Sequence, residues 1–331
     1  MTAPLVHIGY HKTATNWFQR VFYPSVKNYR YVKRKTVRKA FLFPDAFCFD
    51  PEEARRGLFG ISKQPPILCE EELSGNIHTG GHGGCFSKDV AERLLKTLPN
   101  ARIVIFIRNQ VDMIASVYLQ YIKEGGTHRP KRYLFPRQHL SPSGFSPYHT
   151  PLFSFDHFRY RPLIEHYQDL FGPSRVHVFA YETFKADNRG FVKQLAERFD
   201  LEVDFSLVDY SLSNKSYTAR TLALARMINR FTYRDVPDKN RFFHVPLLYK
   251  NSRKILKHFN QVPFMGRPPT PERLLGTRLV DYIRCYYYAD NLKMGRSLGL
   301  PLEDLGYLEP ARGARIRGIG LRHCNPGGKD I

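Results

Sequence analysis

Cysteine is scarce and poorly placed for cross-linking. The 331 residues hold five (Cys48, Cys69, Cys85, Cys285 and Cys324), an odd number with no C-x-x-C pair. That excludes a disulfide framework and a Cys-type zinc site, and it suits a reducing compartment. No run approaches the ~20 apolar residues that a membrane span needs. The opening Met1-Thr-Ala-Pro-Leu-Val-His-Ile-Gly9 lacks the basic and long apolar stretches of a secretory signal, and only four residues precede the first strand-like run. The expected location is the cytoplasm. Acidic side chains are also short in supply, 30 against 51 Lys and Arg, for a formal net charge of +21. Such a balance favours nucleic acid, anionic surfaces, polyanionic glycans or phosphorylated cofactors as partners. Zinc-finger spacing, an RNP-like aromatic motif and a coiled coil with a basic region are all missing, so nucleic acid is not the expected partner. Contact with an anionic surface remains an expectation. Apolar content is ample: 42% hydrophobic and 14% aromatic residues suit a packed core and exclude a disordered chain.

Short apolar runs at 5–9, 67–69, 102–107 and 176–180 read as strands. Helical patterns lie between and behind them, at 12–24, 88–98 with Ser87 as cap, 111–123 and 190–199. Strands alternating with helices predict an α/β fold, a central and mostly parallel sheet with helices on both faces. The later chain reads as helical at 218–231, 246–259 and 271–298, the last opened by Thr270 as cap and Pro271 at the first helical position. Two long irregular stretches, 125–151 and 232–244, carry aromatic and basic residues that suit binding. Residues 1–308 are expected to form a single domain. Residues 309–331 read as a basic, loosely held tail that contributes only a small part of the net charge.

The ends of the strands carry the chemistry. After the first comes Gly9-Tyr-His-Lys12-Thr13-Ala14-Thr15-Asn16-Trp17. A turn entering a helix offers unpaired N–H groups to phosphate, Lys12 adds a cation, and Thr13 and Thr15 add hydroxyl donors. The loop is like a Walker A loop but shorter, since Gly9 precedes Lys12 by only three residues. The bland alternative is an ordinary turn with a surface lysine. After the third predicted strand comes Arg108-Asn-Gln-Val-Asp112, with Ser116 on the following helix. Arg108 can reach an anion across the sheet edge, or can serve as an ion-pair partner of Asp112. Two anion-binding elements on neighbouring strand ends are harder to dismiss than either alone.

Together these segments resemble the sulfotransferases that use 3′-phosphoadenosine-5′-phosphosulfate (PAPS), in particular the bacterial carbohydrate-type members. Lys12-Thr-Ala-Thr-Asn-Trp17 resembles their K-[ST]-G-T-[ST]-W loop, and Arg108-Asn-Gln-Val-Asp112…Ser116 resembles R-N-P-x-D-x-x-x-S. Tyr181-Glu182, Asn214-Lys-Ser216 and Asn291…Leu305-Gly-Tyr307 are similar to later features. The resemblance runs from about Leu5 to Tyr307 and implies a P-loop-like three-layer fold. It departs from the pattern at Ala14, Asn16 and Gln110, which stand where Gly, Ser or Thr, and Pro are usual. Ala14 is tolerable there if its φ is negative.

The resemblance implies a role for each residue. Lys12 faces the leaving phosphate, while Thr13, Ala14, Thr15, Asn16 and Trp17 cradle the cofactor, with Trp17 near the adenine. Arg108 and Ser116 hold the 3′-phosphate. Sulfuryl transfer is an in-line displacement, and a hydroxyl acceptor must shed its proton to a base. The second predicted strand runs into Glu70-Glu71-Glu72-Leu-Ser74, where the family's E-x-L-S spacing selects Glu71, with Glu70 second. Adjacent carboxylates should raise at least one of their pKa values, although such a cluster can simply complement a helix dipole. A His base is the other option, with His11, His78 and His82 nearby. His78-Thr-Gly-Gly-His82 reads as a mobile substrate loop rather than a metal site, and no metal is expected. The acceptor is a small molecule or glycan. A kinase with a degenerate phosphate loop and a non-catalytic polyanion binder are the alternatives. Arg108 stands where a kinase would need a magnesium-binding acid.

Overall fold

The computed structural model describes residues 2–135, 152–211, 217–232, 242–262, 264 and 266–310. The chain divides into two compact units, Met1–Arg108 with Asp156–Leu212, and Asn109–Phe155 with Ser213–Ile331. In chain order the strands are β1 (Leu5–Gly9), β2 (Arg30–Val32), β3 (Pro66–Cys69), β4 (Arg102–Ile107) and β5 (Val176–Ala180). The described helices of eight residues or more are α1 (Arg34–Phe41), α2 (Pro51–Phe59), α3 (Cys85–Thr97), α4 (Gln110–Lys123), α5 (Tyr160–Phe171), α6 (Asn188–Phe199), α7 (Ala219–Ile228), α8 (Leu248–Phe259) and α9 (Thr277–Leu298).

The first unit is an α/β layered fold. Its five strands lie in the order β2-β3-β1-β4-β5 and every pairing is parallel. A parallel sheet needs both faces covered, and the apolar strand residues supply that. Leu5, Ile67, Cys69, Val104 and Phe106 face a cluster containing Phe18, Phe22, Phe184 and α6 residues Phe191 and Phe199. The alternate residues Val6, Ile8, Leu68, Ile103 and Ile105 are equally buried, and α5 packs on β4 and β5. β2 was not anticipated: it is three residues long, sits at the sheet edge and is half-buried at Arg30 and Tyr31. Helices α1, α2 and α5 are likewise additions to the sequence reading. Ser87 is not a cap. α3 begins at Cys85 behind Gly84, whose φ is 94°, and the Ser87 hydroxyl instead donates to the Ser74 and Gly80 carbonyls at 2.9 and 3.0 Å.

The second unit, as described, is helical. The expected helix 271–298 is broken at Gly276 (φ 91°) into Pro271–Leu275 and α9, with Thr270 accepting the Arg273 N–H at 3.4 Å as the cap. Gln110 at the start of α4 and Asn291 on α9 exchange amide hydrogen bonds of 2.8 and 3.0 Å, and Asn291 also donates to the Tyr307 carbonyl at 3.1 Å. Both side chains are buried. A proline at 110 could not make this pair. Asn214-Lys-Ser216, most of the 125–151 and 232–244 stretches and the tail beyond residue 310 lie outside the described residues.

Candidate active site

Ligands of an open parallel sheet gather beyond the carboxyl ends of its strands, where the strand order reverses. Here the chain leaves β1 for β2 and β3 on one side and crosses to β4 and β5 on the other, so the reversal falls at the β1–β4 junction. The register shifts between His7 and Gly9, so that Gly9 pairs with Ile105. Gly9 has φ 115°, and a Cβ there would come within 3.1 Å of the Glu71 carbonyl and the Ser74 hydroxyl. Only glycine lets the turn after β1 lie so close to the turn after β3.

Beyond Gly9 the backbone changes hand residue by residue. Lys12 (φ 62°) and Ala14 (φ 64°) are left-handed, with Thr13 between them on the negative side. The Thr13 hydroxyl donates to the Tyr10 carbonyl at 2.5 Å, and the Tyr10 N–H to Phe106 on β4 at 2.8 Å. The Trp17 and Phe18 amides are taken by the Ala14 carbonyl. Those of Thr13 and Ala14 make no hydrogen bond to the described chain. The condition set for Ala14 is not met. Its positive φ costs a residue with a Cβ about 1–2 kcal/mol. Trp17 is buried among Phe18, Phe22 and Phe184, with its indole N–H donating to the Asp209 carbonyl at 2.8 Å. Thr15 is buried and Asn16 exposed.

Arg108, at the end of β4, joins this loop directly. Its Nη1 donates to the Lys12 carbonyl at 3.0 Å, and its guanidinium lies 4.9 Å from the Tyr181 ring centroid. The Tyr160 hydroxyl donates to the Arg108 carbonyl at 2.7 Å. Ser116 is half-buried on α4, in the second unit.

The turn after β3 is wired by side chains that sequence reasoning missed. Arg34 and Arg38, one helical turn apart on α1, both grip the fully buried Glu70, through contacts of 2.8 to 3.2 Å. Arg34 Nη2 also donates to Glu71 Oε1 at 2.9 Å, and Gln19 Nε2 to Glu71 Oε2 at 2.8 Å. Arg38 reaches Glu72 at 3.1 Å. Burial alone would raise the Glu70 carboxyl, but the two guanidiniums outweigh it and hold it below its ordinary range. The one pushed up is Glu72, by burial first and by its acidic neighbours second, against the pull of Arg38. Only the i, i+4 spacing of Arg34 and Arg38 hinted at a shared target; nothing local names Glu70 as that target.

Three imidazoles surround the turns, His7 and His11 buried and His157 half-buried. His7 stacks on Phe106 and meets the Tyr23 hydroxyl at 3.0 Å, and burial lowers it to about 3. His11 is lowered by burial and then by His157, Lys12, His78 and Arg34. His157, which the sequence did not single out, is lowered to about 3 by burial, with His78 adding to the effect. Its ring lies against Gly80, where a Cβ would come within 2.7 Å of Nδ1. With the Ser87 bond to the Gly80 carbonyl, it ties down the 78–82 loop. Among the described residues no group of three His, Cys, Asp or Glu is arranged to hold a metal ion, and no helix is long and apolar enough to cross a membrane.

Residues 88–205 match the model of the Sulfotransferase family. The matched segment contains Arg108, Ser116 and Tyr181 but neither Lys12 nor Glu71. No curated protein matches the chain in sequence. Among solved structures, a sulfotransferase from Alicyclobacillus acidocaldarius is similar at 18% identity and a TM-score of 0.48, over 65% of this chain and 87% of that one.

Proposed function

From the match of residues 88–205 to the sulfotransferase family model we propose that the chain is a sulfotransferase that moves the sulfuryl group of PAPS to an acceptor hydroxyl of a saccharide or saccharide-bearing molecule, with Glu71 as general base. One observation carries this reading. The loop holding Lys12 is bound to Arg108 on one side and pressed against the backbone of Glu71 on the other. The donor set suits a nucleotide with two phosphate-bearing ends: two amides without a partner in the described chain, the Lys12 ammonium and the Arg108 guanidinium. Residues of alternating hand turn successive N–H groups toward one centre, the geometry of an anion-binding nest.

The bound nucleotide would supply the sulfuryl group and a phosphate as leaving group. Lys12 and the Thr13 and Ala14 amides would then neutralise the charge that grows on that phosphate oxygen as its bond to sulfur breaks. Arg108 would hold the 3′-phosphate through charge-assisted bonds. Glu71 would take the acceptor's hydroxyl proton as the new sulfur–oxygen bond forms. Glu70 suits that task poorly: it is fully buried and gripped by two arginines. Glu71 is 12% exposed at its side chain, and Arg34 and Gln19 each engage one of its oxygens, which fixes the carboxylate without closing it off.

Incubation with labelled donor and a panel of glycans, lipids and small alcohols tests the reading. Glu71→Gln keeps the shape but cannot accept the proton, so transfer should fall by about 10²–10⁴ while the bisphosphate product still binds. Near-full activity in Glu71→Gln would remove Glu71 from the chemistry. Loss of transfer in EDTA, restored by magnesium, would point to phosphoryl chemistry instead.

A further inference from the structure

Residues 217–270 hold eleven lysines and arginines against two aspartates, a large share of the whole chain's excess charge. The helix at the centre of this stretch is α8, Leu-Tyr-Lys-Asn-Ser-Arg-Lys-Ile-Leu-Lys-His-Phe. Its inner face is fixed within the second unit. The Tyr249 hydroxyl donates to the Lys123 carbonyl at 2.6 Å, Arg253 Nη2 donates to Asn229 Oδ1 at 2.5 Å, and Leu256 is fully buried. These anchors leave the opposite face outward. On it Ile255 and Phe259, four residues apart, are 54% and 47% exposed, and Leu247, the left-handed residue just before the helix, is 70% exposed. Phe242 and Phe243, just before the helix, are 69% and 59% exposed. Lys250, Lys254 and Lys257, all exposed, run along one side of this apolar set. Single exposed apolar residues are unremarkable, but a contiguous set rimmed by cations is the pattern of an interaction surface.

We infer that the outward face of α8 docks on an anionic lipid leaflet, with Leu247, Ile255 and Phe259 entering the headgroup layer and the lysine row meeting lipid phosphates. Two features together select this occupant. An apolar stripe beside a basic row matches an interfacial helix, whose binding adds buried apolar area to attraction for anionic lipid. Nucleic acid would meet the lysines but give Ile255 and Phe259 nothing to enter. A second copy related by a two-fold axis would set the same lysine row against itself, and like charges would oppose it. The inference rests on the second unit alone and stands apart from the assignment of Lys12 and Glu71.

Co-sedimentation of the full chain with vesicles tests it. The chain should bind phosphatidylcholine vesicles containing phosphatidylglycerol and not those of phosphatidylcholine alone, and raised salt should weaken binding. Lys254→Gln with Lys257→Gln should weaken it roughly thirtyfold, from about fivefold per lysine at an anionic surface. Ile255→Ser with Phe259→Ser should weaken it by about tenfold or more through lost apolar burial. Both pairs point outward, so circular dichroism and thermal melting should be unchanged. No vesicle binding, or equal binding with and without phosphatidylglycerol, would overturn the inference. So would full binding by the Ile255→Ser/Phe259→Ser variant, which would mean plain charge attraction. A native dimer that this variant dissociates would instead place a second copy on the face.

Discussion

The turns after β1 and β3 lie against each other, yet they are built on opposite terms. The first keeps strain and unmet donors: two left-handed residues that carry a Cβ, and amides at Thr13 and Ala14 with no partner in the described chain. The second has its acceptors filled, with Glu70 gripped by Arg34 and Arg38 and Glu71 held by Arg34 and Gln19. A loop that must close on an anion gains by leaving donors unsatisfied until the anion arrives. A carboxylate that must accept one proton in one direction gains by being fixed beforehand. Under the proposed function the contrast gives binding to one turn and positioning to the other.

The largest structural effect should come from the clamp. Glu70→Ala leaves two guanidiniums without the buried carboxylate they grip and should cost about 3–5 kcal/mol, read from the denaturation midpoint. A loss below about 1 kcal/mol would mean that the arginines find water as readily as Glu70, and the second turn would no longer differ from the first.

Acid should separate the same elements more gently. His7 and His157 sit near 3 in the folded chain against an ordinary 6.5, His177 near 4, and His11 is also lowered, in each case mainly because burial disfavours the imidazolium. The unfolded chain takes up these protons as pH falls below 6.5, where the folded chain cannot yet do so. Stability is thus intact above that pH and declines below it. Glu70, held below its ordinary range, adds a further loss only as pH falls through the carboxylate range. Urea midpoints measured across the acid range should slope downward from about pH 6.5, with an unfolding uptake of more than one proton. A midpoint flat to about pH 4 would contradict the buried neutral imidazoles.

The smallest effect belongs to the strained loop. Ala14→Gly relieves a left-handed Cβ worth about 1–2 kcal/mol, partly offset by about 0.4–1 kcal/mol of extra freedom in the unfolded chain. A net gain of about 1 kcal/mol or less should raise the melting temperature by about 1–4 °C. A fall would show that the alanine methyl makes a contact worth more than the strain.

Continuous apolar runs made β1 and β4 readable, because a strand buried on both faces leaves little room for polar residues, and β5 was read from a similar run although its middle three residues are half-buried at the sheet edge. The edge strand Arg30-Tyr-Val32 carries no such mark. α2 was missed although Asp50-Pro51-Glu52-Glu53, a cap followed by proline and acids, carries its signal: Asp50 accepts the Glu52 and Glu53 amides. Lys12, Arg108 and the Glu70–Glu72 cluster could be picked out because each follows a strand end, and Glu71 was chosen within the cluster by the resemblance alone. What holds them could not be, because Arg34 meets Glu70 across 36 residues and Gln19 meets Glu71 across 52. Gln110 shows the same limit. The sequence marked it only as a departure from a pattern, and the fold reveals Asn291 as its partner.

Calorimetric titration of adenosine 3′,5′-bisphosphate into the full chain tests the central claim most directly. Saturable binding at one site per chain should raise thermal stability, by about 2.7 kcal/mol at a hundred times the dissociation constant. Lys12→Ala and Arg108→Ala should each blunt that gain, and Glu71→Gln should leave it whole. Tighter binding of ATP than of the bisphosphate, or a gain untouched by the loss of Arg108, would contradict the account.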